Sequence, residues 1–114
     1  MSIVYGKCKY IQKKQASLIY TYDLSLHGYI IVGVFIGKST EDKLAFLDLW
    51  KHFITTIAKS KRVYGVVYDN FIESHAFKNQ MTYHSTINGL FIYEINNFVL
   101  DNPDLFPDIL TKDI

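Results

Sequence analysis

Apolar residues recur along this chain with two spacings, and the spacing changes near Ser39. Before it, Leu18, Tyr20, Tyr22, Leu24 and Leu26 alternate with Ser17, Ile19, Thr21, Asp23 and Ser25. That is the period of two expected of a strand with one wetter face. Residues 29–36, YIIVGVFI, are almost continuously apolar, which predicts a central strand covered on both faces. His27 and Gly28 reverse the chain between these segments. Upstream, residues 3–11 have strand character, and the polar stretch from Gln12 to Gln15 reads as a turn.

From Thr40 to Lys59 the spacing becomes helical. Leu44, Leu47, Trp50, Phe53, Ile54 and Ile57 recur at three- and four-residue steps and predict one apolar stripe facing a sheet. Ser39 or Thr40 can cap the first turn, with Asp42 at capping-box spacing from Ser39. Glu41 and Asp42 suit the positive end of the helix dipole, and Lys59, Lys61 and Arg62 the other end. A third strand follows over 62–69, then a weaker, short helix from Phe71 to Gln80, with Ile72, His75, Ala76 and Phe77 facing inward. TYHSTI and LFIYEI flank Asn88-Gly89, a strong hairpin signal. After Asn96 the chain is acidic and holds Pro103 and Pro107, which predicts a turn with a short helix, or an irregular arm. The expected fold class is α+β: one domain over residues 1–114, with a core over about 3–95 and a tail over 96–114. Its sheet is mixed and mostly antiparallel, with one long amphipathic helix and one short helix.

A length of 114 residues with 49% hydrophobic residues fits a single packed core. The net charge of +1 argues against a dedicated nucleic-acid binder, which needs clustered excess cations. The single cysteine, Cys8, has no internal disulfide partner, so a reducing cytoplasm is the expected location. The chain has no apolar run of membrane-spanning length and no signal-peptide pattern at its start, so no membrane association is expected. Lys7, Lys9, Lys13 and Lys14 make the start basic, whereas Asp101, Asp104, Asp108 and Asp113 make the tail acidic. These ends read either as solvated surfaces attracting one another or as a partner-binding surface of opposite signs.

Candidate chemistry is sparse. Gly37-Lys38-Ser39-Thr40 looks like the end of a nucleotide-binding P-loop, but the required first glycine is replaced by Val32. A helix start with Lys38 and two hydroxyls could still attract an anion, although helix capping by Ser39 accounts for the same residues. His27, His52, His75 and His84 lack a metal-site spacing with other ligands. A catalytic pairing of a histidine with Ser74 or Ser85 needs a geometry that spacing does not supply. Tyr5, Tyr10, Tyr20 and Tyr22 lie near the basic residues of the start, as in a single-strand stacking platform. Alternating tyrosines equally serve strand packing.

The order of elements resembles the core of GNAT-type acyltransferases from near Ala16 to Ile95. Residues 24–37 (LSLHGYIIVGVFIG), 46–59 (FLDLWKHFITTIAK) and 64–77 (YGVVYDNFIESHAF) are similar to the small GNAT-like proteins of short-tailed phages. The resemblance implies that acyl-CoA would lie where the parallel strands YIIVGVFI and RVYGVVYD splay apart. Val34 and Ile36 would pair with the pantetheine arm, Gly37, Lys38 and Ser39 would face pyrophosphate, and Asn70 would bond the cofactor. Several family features are missing. The phosphate loop has one glycine, Phe77 stands where the family has a tyrosine acid, and no acid lies within residues 29–36 to act as a base.

The expected function is therefore that of a GNAT-like protein of phage or mobile-element origin that binds and modulates or inhibits a host protein. No catalytic residue, metal or cofactor is assigned under that reading. The partner would be a host or viral protein, with a homodimer also compatible. The rival reading is an acyl-CoA-dependent N-acetyltransferase with an atypical phosphate loop, using acetyl-CoA. The third reading is a single-stranded nucleic-acid-binding module.

Overall fold

A computed structural model describes residues 8–67 and 81–102. The elements in order are β1 (Lys9–Lys13), β2 (Ala16–Asp23), β3 (Gly28–Ile36), α1 (Thr40–His52), a π-helical segment (Phe53–Ala58), β4 (Arg62–Val67), β5 (Met81–Ile87), β6 (Leu90–Ile95) and α2 (Asn97–Asp101). The fold is α+β. Its six strands form one mixed sheet in the order β1-β2-β3-β4-β6-β5. β3 and β4 run parallel, and the other neighbouring pairs are antiparallel. The expected helix over 71–80, with His75 and Phe77, lies outside the described residues, as do Asn70 and the tail beyond Asn102.

Local chemistry sets the turns. β1 and β2 meet through Lys14 and Gln15, a tighter turn than the polar stretch from Gln12 suggests, because Gln12 and Lys13 pair with Ser17 and Ala16. Lys14 takes the left-handed conformation there. β2 ends at Asp23, whose carboxylate accepts hydrogen bonds from Ser25 Oγ (2.7 Å) and the Leu26 amide (3.0 Å). This aspartate turn ends the period-two alternation early and leaves Leu24 79% exposed. Asn88 and Gly89 both have positive φ, 51° and 80°, the geometry of a tight type I′ hairpin between β5 and β6.

The expected helix is present but changes its winding. Its α-helical part is only thirteen residues long. From Phe53 the winding loosens, with the Lys59 amide bonded to the Ile54 carbonyl at 3.1 Å. The stripe also sits one step from its expected place. Ala45, Phe46, Leu49, Trp50, Phe53 and Ala58 are buried, while Leu44 is 57% exposed. Phe46 and Leu49 fall on the line through Trp50 and Phe53 that meets β2, and Leu44 falls off it.

The sheet has a core on each side. On the α1 side, Ala16, Leu18 and Tyr20 of β2 join Ile31, Val63, Met81, Ile95 and Val99. On the opposite side, Leu26, Ile30, Tyr64 and Ile92 cluster with Val32 and Val66 around them. Tyr64 is fully buried, and its hydroxyl donates to the Leu26 carbonyl at 3.3 Å. β3 is covered on both faces only at its start, since Val34 and Phe35 are 37% and 57% exposed.

Candidate functional site

The two parallel strands are neighbours for only part of their length. Gly28, Tyr29, Ile30 and Ile31 of β3 register with Arg62, Val63, Tyr64 and Gly65 of β4. Beyond that point β3 runs on to Ile36 against β2, and β4 runs on to Val67 against β6. A bulge explains the parting. Ile19 pairs with Gly33 and Tyr20 with Ile31, which leaves Val32 as an extra residue on β3. It lies one position past the last β3–β4 pair, where the bend of a bulge turns β3 away.

Val34 and Ile36 therefore belong to the part of β3 that has left β4, whereas Gly37, Lys38 and Ser39 lead into α1. Ser39 is the N-cap, and its Oγ accepts from the Asp42 amide at 3.1 Å. Asp42 answers in kind. Its carboxylate accepts from the Gln15 amide at 3.2 Å. It is held below the usual carboxylate range first by the Ser39 hydroxyl, then by the backbone amides of Gln15 and Ser39 and the charge of Lys14. The Gly37 amide also bonds the Gln15 carbonyl at 2.8 Å.

The start of α1 thus already holds an anion of its own. A side chain at position 37 would collide with the Asp42 carboxylate and lie 2.9 Å from Gln15 Cβ. A phosphate at this first turn would face the negative charges of Glu41 and Asp42. Lys38 is exposed. Asn70, the last of the site residues the resemblance implies, lies outside the described residues.

The basic hairpin is neutralised from α1. Lys13 Nζ lies 2.6 Å from Asp48, and Lys14 Nζ lies 3.2 Å from Glu41. Asp48 is held below its ordinary range by the hydrogen bond and charge of Lys13, with Lys51 adding to it. The tyrosines near these lysines are divided between the two sides of the sheet. Tyr20 and Tyr22 project to the α1 side, and Tyr10, paired with Ile19, projects to the other. Tyr20 is buried and packs edge-on against Phe53 at 5.1 Å. Tyr10, Tyr20 and Tyr22 therefore form no continuous stacking platform.

His84 Nδ1 lies 2.9 Å from Ser85 Oγ, but the two are chain neighbours on an exposed strand. The imidazole stands edge-on to the buried Tyr64 ring at 5.3 Å. Among the described residues, no carboxylate orients this histidine, and no group of His, Cys, Asp and Glu residues could hold a metal ion. His27 occupies the turn before β3 with φ 53°. No helix of the described residues is long and apolar enough to cross a membrane.

A different feature emerges on the side of the sheet away from α1. Tyr10 pairs with Ile19, and Ser17, two residues before Ile19, pairs with Phe35. Opposite residues in an antiparallel ladder share a side, so Tyr10, Ile19 and Phe35 form one surface. They are 68%, 39% and 57% exposed. Gly33, paired with Ile19, leaves the middle of that surface low, and a Cβ there would lie 3.2 Å from Ile19 Cδ1. The period-two pattern contains this surface, because Ile19 is the apolar residue on the wetter face of β2.

Comparison with family models, curated proteins and solved structures returns no match.

Proposed function

We propose that this chain acts by binding another protein, through the surface made by Tyr10, Ile19 and Phe35. The carrying observation is the clustering of these three exposed apolar side chains across β1, β2 and β3. Exposed apolar side chains grouped on one side of a sheet suit a protein partner, because aromatic side chains dominate interface energetics. The partner is a host or viral protein, and modulation or inhibition of that protein is the expected consequence. The self-filled start of α1 supports binding over cofactor chemistry.

A tagged full-length chain and a Tyr10→Ser/Phe35→Ser variant, compared in lysate capture, test this reading. A stoichiometric partner retained by the wild type and lost by the variant is the expected result. Equal recovery by both proteins, or recovery of none, overturns it.

One observation favours a second reading, an acyl-CoA-dependent N-acetyltransferase of GNAT type. The β3–β4 ladder ends at Ile31 and Gly65 while both strands continue. A gap there could receive a pantetheine arm along Val34 and Ile36, with pyrophosphate near Gly37, Lys38 and Ser39. A ligand bound only by the folded state adds about 2.7 kcal/mol at a concentration of 100 Kd. A clear rise in melting temperature with acetyl-CoA would favour this reading, and an unchanged melting temperature at high cofactor would remove it.

A further inference from the structure

The π-helical end of α1, the start of β4 and α2 enclose an open groove of about 460 Å³. Its apolar lining comes from Ile54, Ala58, Val63 and Leu100. Ala58 and Val63 are buried, so this lining is continuous with the main core. Lys59, Ser60 and Lys61 also line the groove, with Asn97 and Asp101 contributed by α2. A groove of this size, with an apolar patch bordered by polar and charged groups, suits a few residues of peptide.

The charged groups differ in what already engages them. The Arg62 guanidinium is turned toward Tyr64 and Glu94, which hold it firmly protonated. Lys61 Nζ lies 5.6 Å from the centre of the Tyr22 ring and makes no ion pair among the described residues. Lys59 makes no ion pair among the described residues. Lys59 and Ser60 both take the left-handed conformation, with φ 47° and 69°. This double turn swings the chain from the helix end into β4 and brings both lysines to the groove.

We propose that this groove binds an acidic peptide segment, one in which an Asp or Glu adjoins an apolar residue. The peptide carboxylate lies between Lys59 and Lys61. The apolar side chain rests on Ile54, Ala58, Val63 and Leu100, and Asp101 and Asn97 accept backbone N–H groups. A monoanionic carboxylate fits better than a dianionic phosphate, because the carbonyl end of the helix opposes dense negative charge. This site is separate from the Tyr10–Ile19–Phe35 surface and does not depend on it.

The test is an amide-resolved NMR titration of the full chain with two peptides, acetyl-Gly-Leu-Asp-Gly-amide and its Asn twin. Saturable shifts within residues 54–63 and 97–101 are expected with the Asp peptide. Two exposed charge contacts are lost in the Asn twin, so its binding should be about tenfold weaker. A Lys59→Gln/Lys61→Gln variant should lose a similar factor for the Asp peptide and none for the Asn twin, with its unliganded spectrum confirming the fold. Equal binding of the two peptides overturns the proposal. So does a response confined to other residues, no response at all, or an unchanged double variant. Equal recovery, or recovery of no partner, in the Tyr10/Phe35 capture experiment would overturn that reading and leave this proposal standing, because different residues are involved.

Discussion

Gly28→Ala is the most searching single substitution, because Gly28 sits where β3 first meets β4. A Cβ there would collide with the Arg62 carbonyl oxygen and lie 3.0 Å from both the Arg62 carbonyl carbon and Tyr64 Cε2. The obstacle is backbone of the neighbouring strand, so no side-chain rotation relieves it. Overpacking of this kind costs about 2–3 kcal/mol, the upper part of the usual range. Replacing glycine restricts the unfolded chain and returns about 0.4–1 kcal/mol. The net loss is about 1–2.5 kcal/mol. An unfolding entropy of about 2.1 cal/mol/K per residue over 114 residues converts this to a fall in melting temperature of about 4–10 °C.

Gly33→Ala is the matched control. Its nearest obstacle is the mobile end of Ile19, at 3.2 Å, and the unfolded-state gain is the same. Its stability should stay within about 0.5 kcal/mol of wild type. Thermal and urea unfolding of both variants provide the assay. Equal stability of the two would refute the close parallel approach of β3 and β4 at Gly28.

Three other outcomes follow from the described contacts. Asp42 and Asp48 have depressed folded pKa values, so their stabilisation is present above the unfolded carboxylate pKa of about 4 and is lost as pH falls below it. Urea midpoints should drop between pH 5 and pH 3 by the usual carboxylate logic, and an Asp42→Asn/Asp48→Asn variant should flatten that profile; an unaltered profile would count against both contacts. Phe46→Ala should cost about 3–5 kcal/mol, because Phe46 is fully buried, whereas Leu44→Ala should stay within about 0.5 kcal/mol; the reverse order would restore the stripe through Leu44. Tyr64→Phe should lose about 0.5–1.5 kcal/mol with its hydrogen bond to the Leu26 carbonyl, and no loss would place that hydroxyl elsewhere.

Signals held within a few residues were legible in the sequence. Asn88-Gly89 encodes its own hairpin, and Ser39 with Asp42 encodes the helix start, because each depends on backbone conformation or on one nearby hydrogen bond. The helix as a whole was legible, but its buried line was not. Leu44 and Phe46 are both apolar, and only the position of β2 decides which one turns inward. The early end of β2 was hidden because Leu24 and Leu26 continue the alternation past Asp23. The partial pairing of β3 with β4 was legible only as a resemblance, since the bulge at Val32 falls within a run of apolar residues. The neutralised hairpin was unreadable because Lys13 and Asp48 are distant along the chain. The Tyr10–Ile19–Phe35 surface could have been found by following the wetter face of β2, where Ile19 breaks the polar pattern.

The loosened winding over Phe53–Ala58 lets one more residue fit between Trp50 and Arg62 than an evenly wound α-helix would hold. Each residue of an α-helix turns the chain by about 100°. Deleting one of Thr55 or Thr56 would let the segment tighten into ordinary α-helix, whose larger turn per residue makes up most of the rotation lost, so the exit toward β4 would keep nearly its direction. The surplus residue is taken up inside the helix, so a helix anchored by Trp50 carries it without moving the berth of β4.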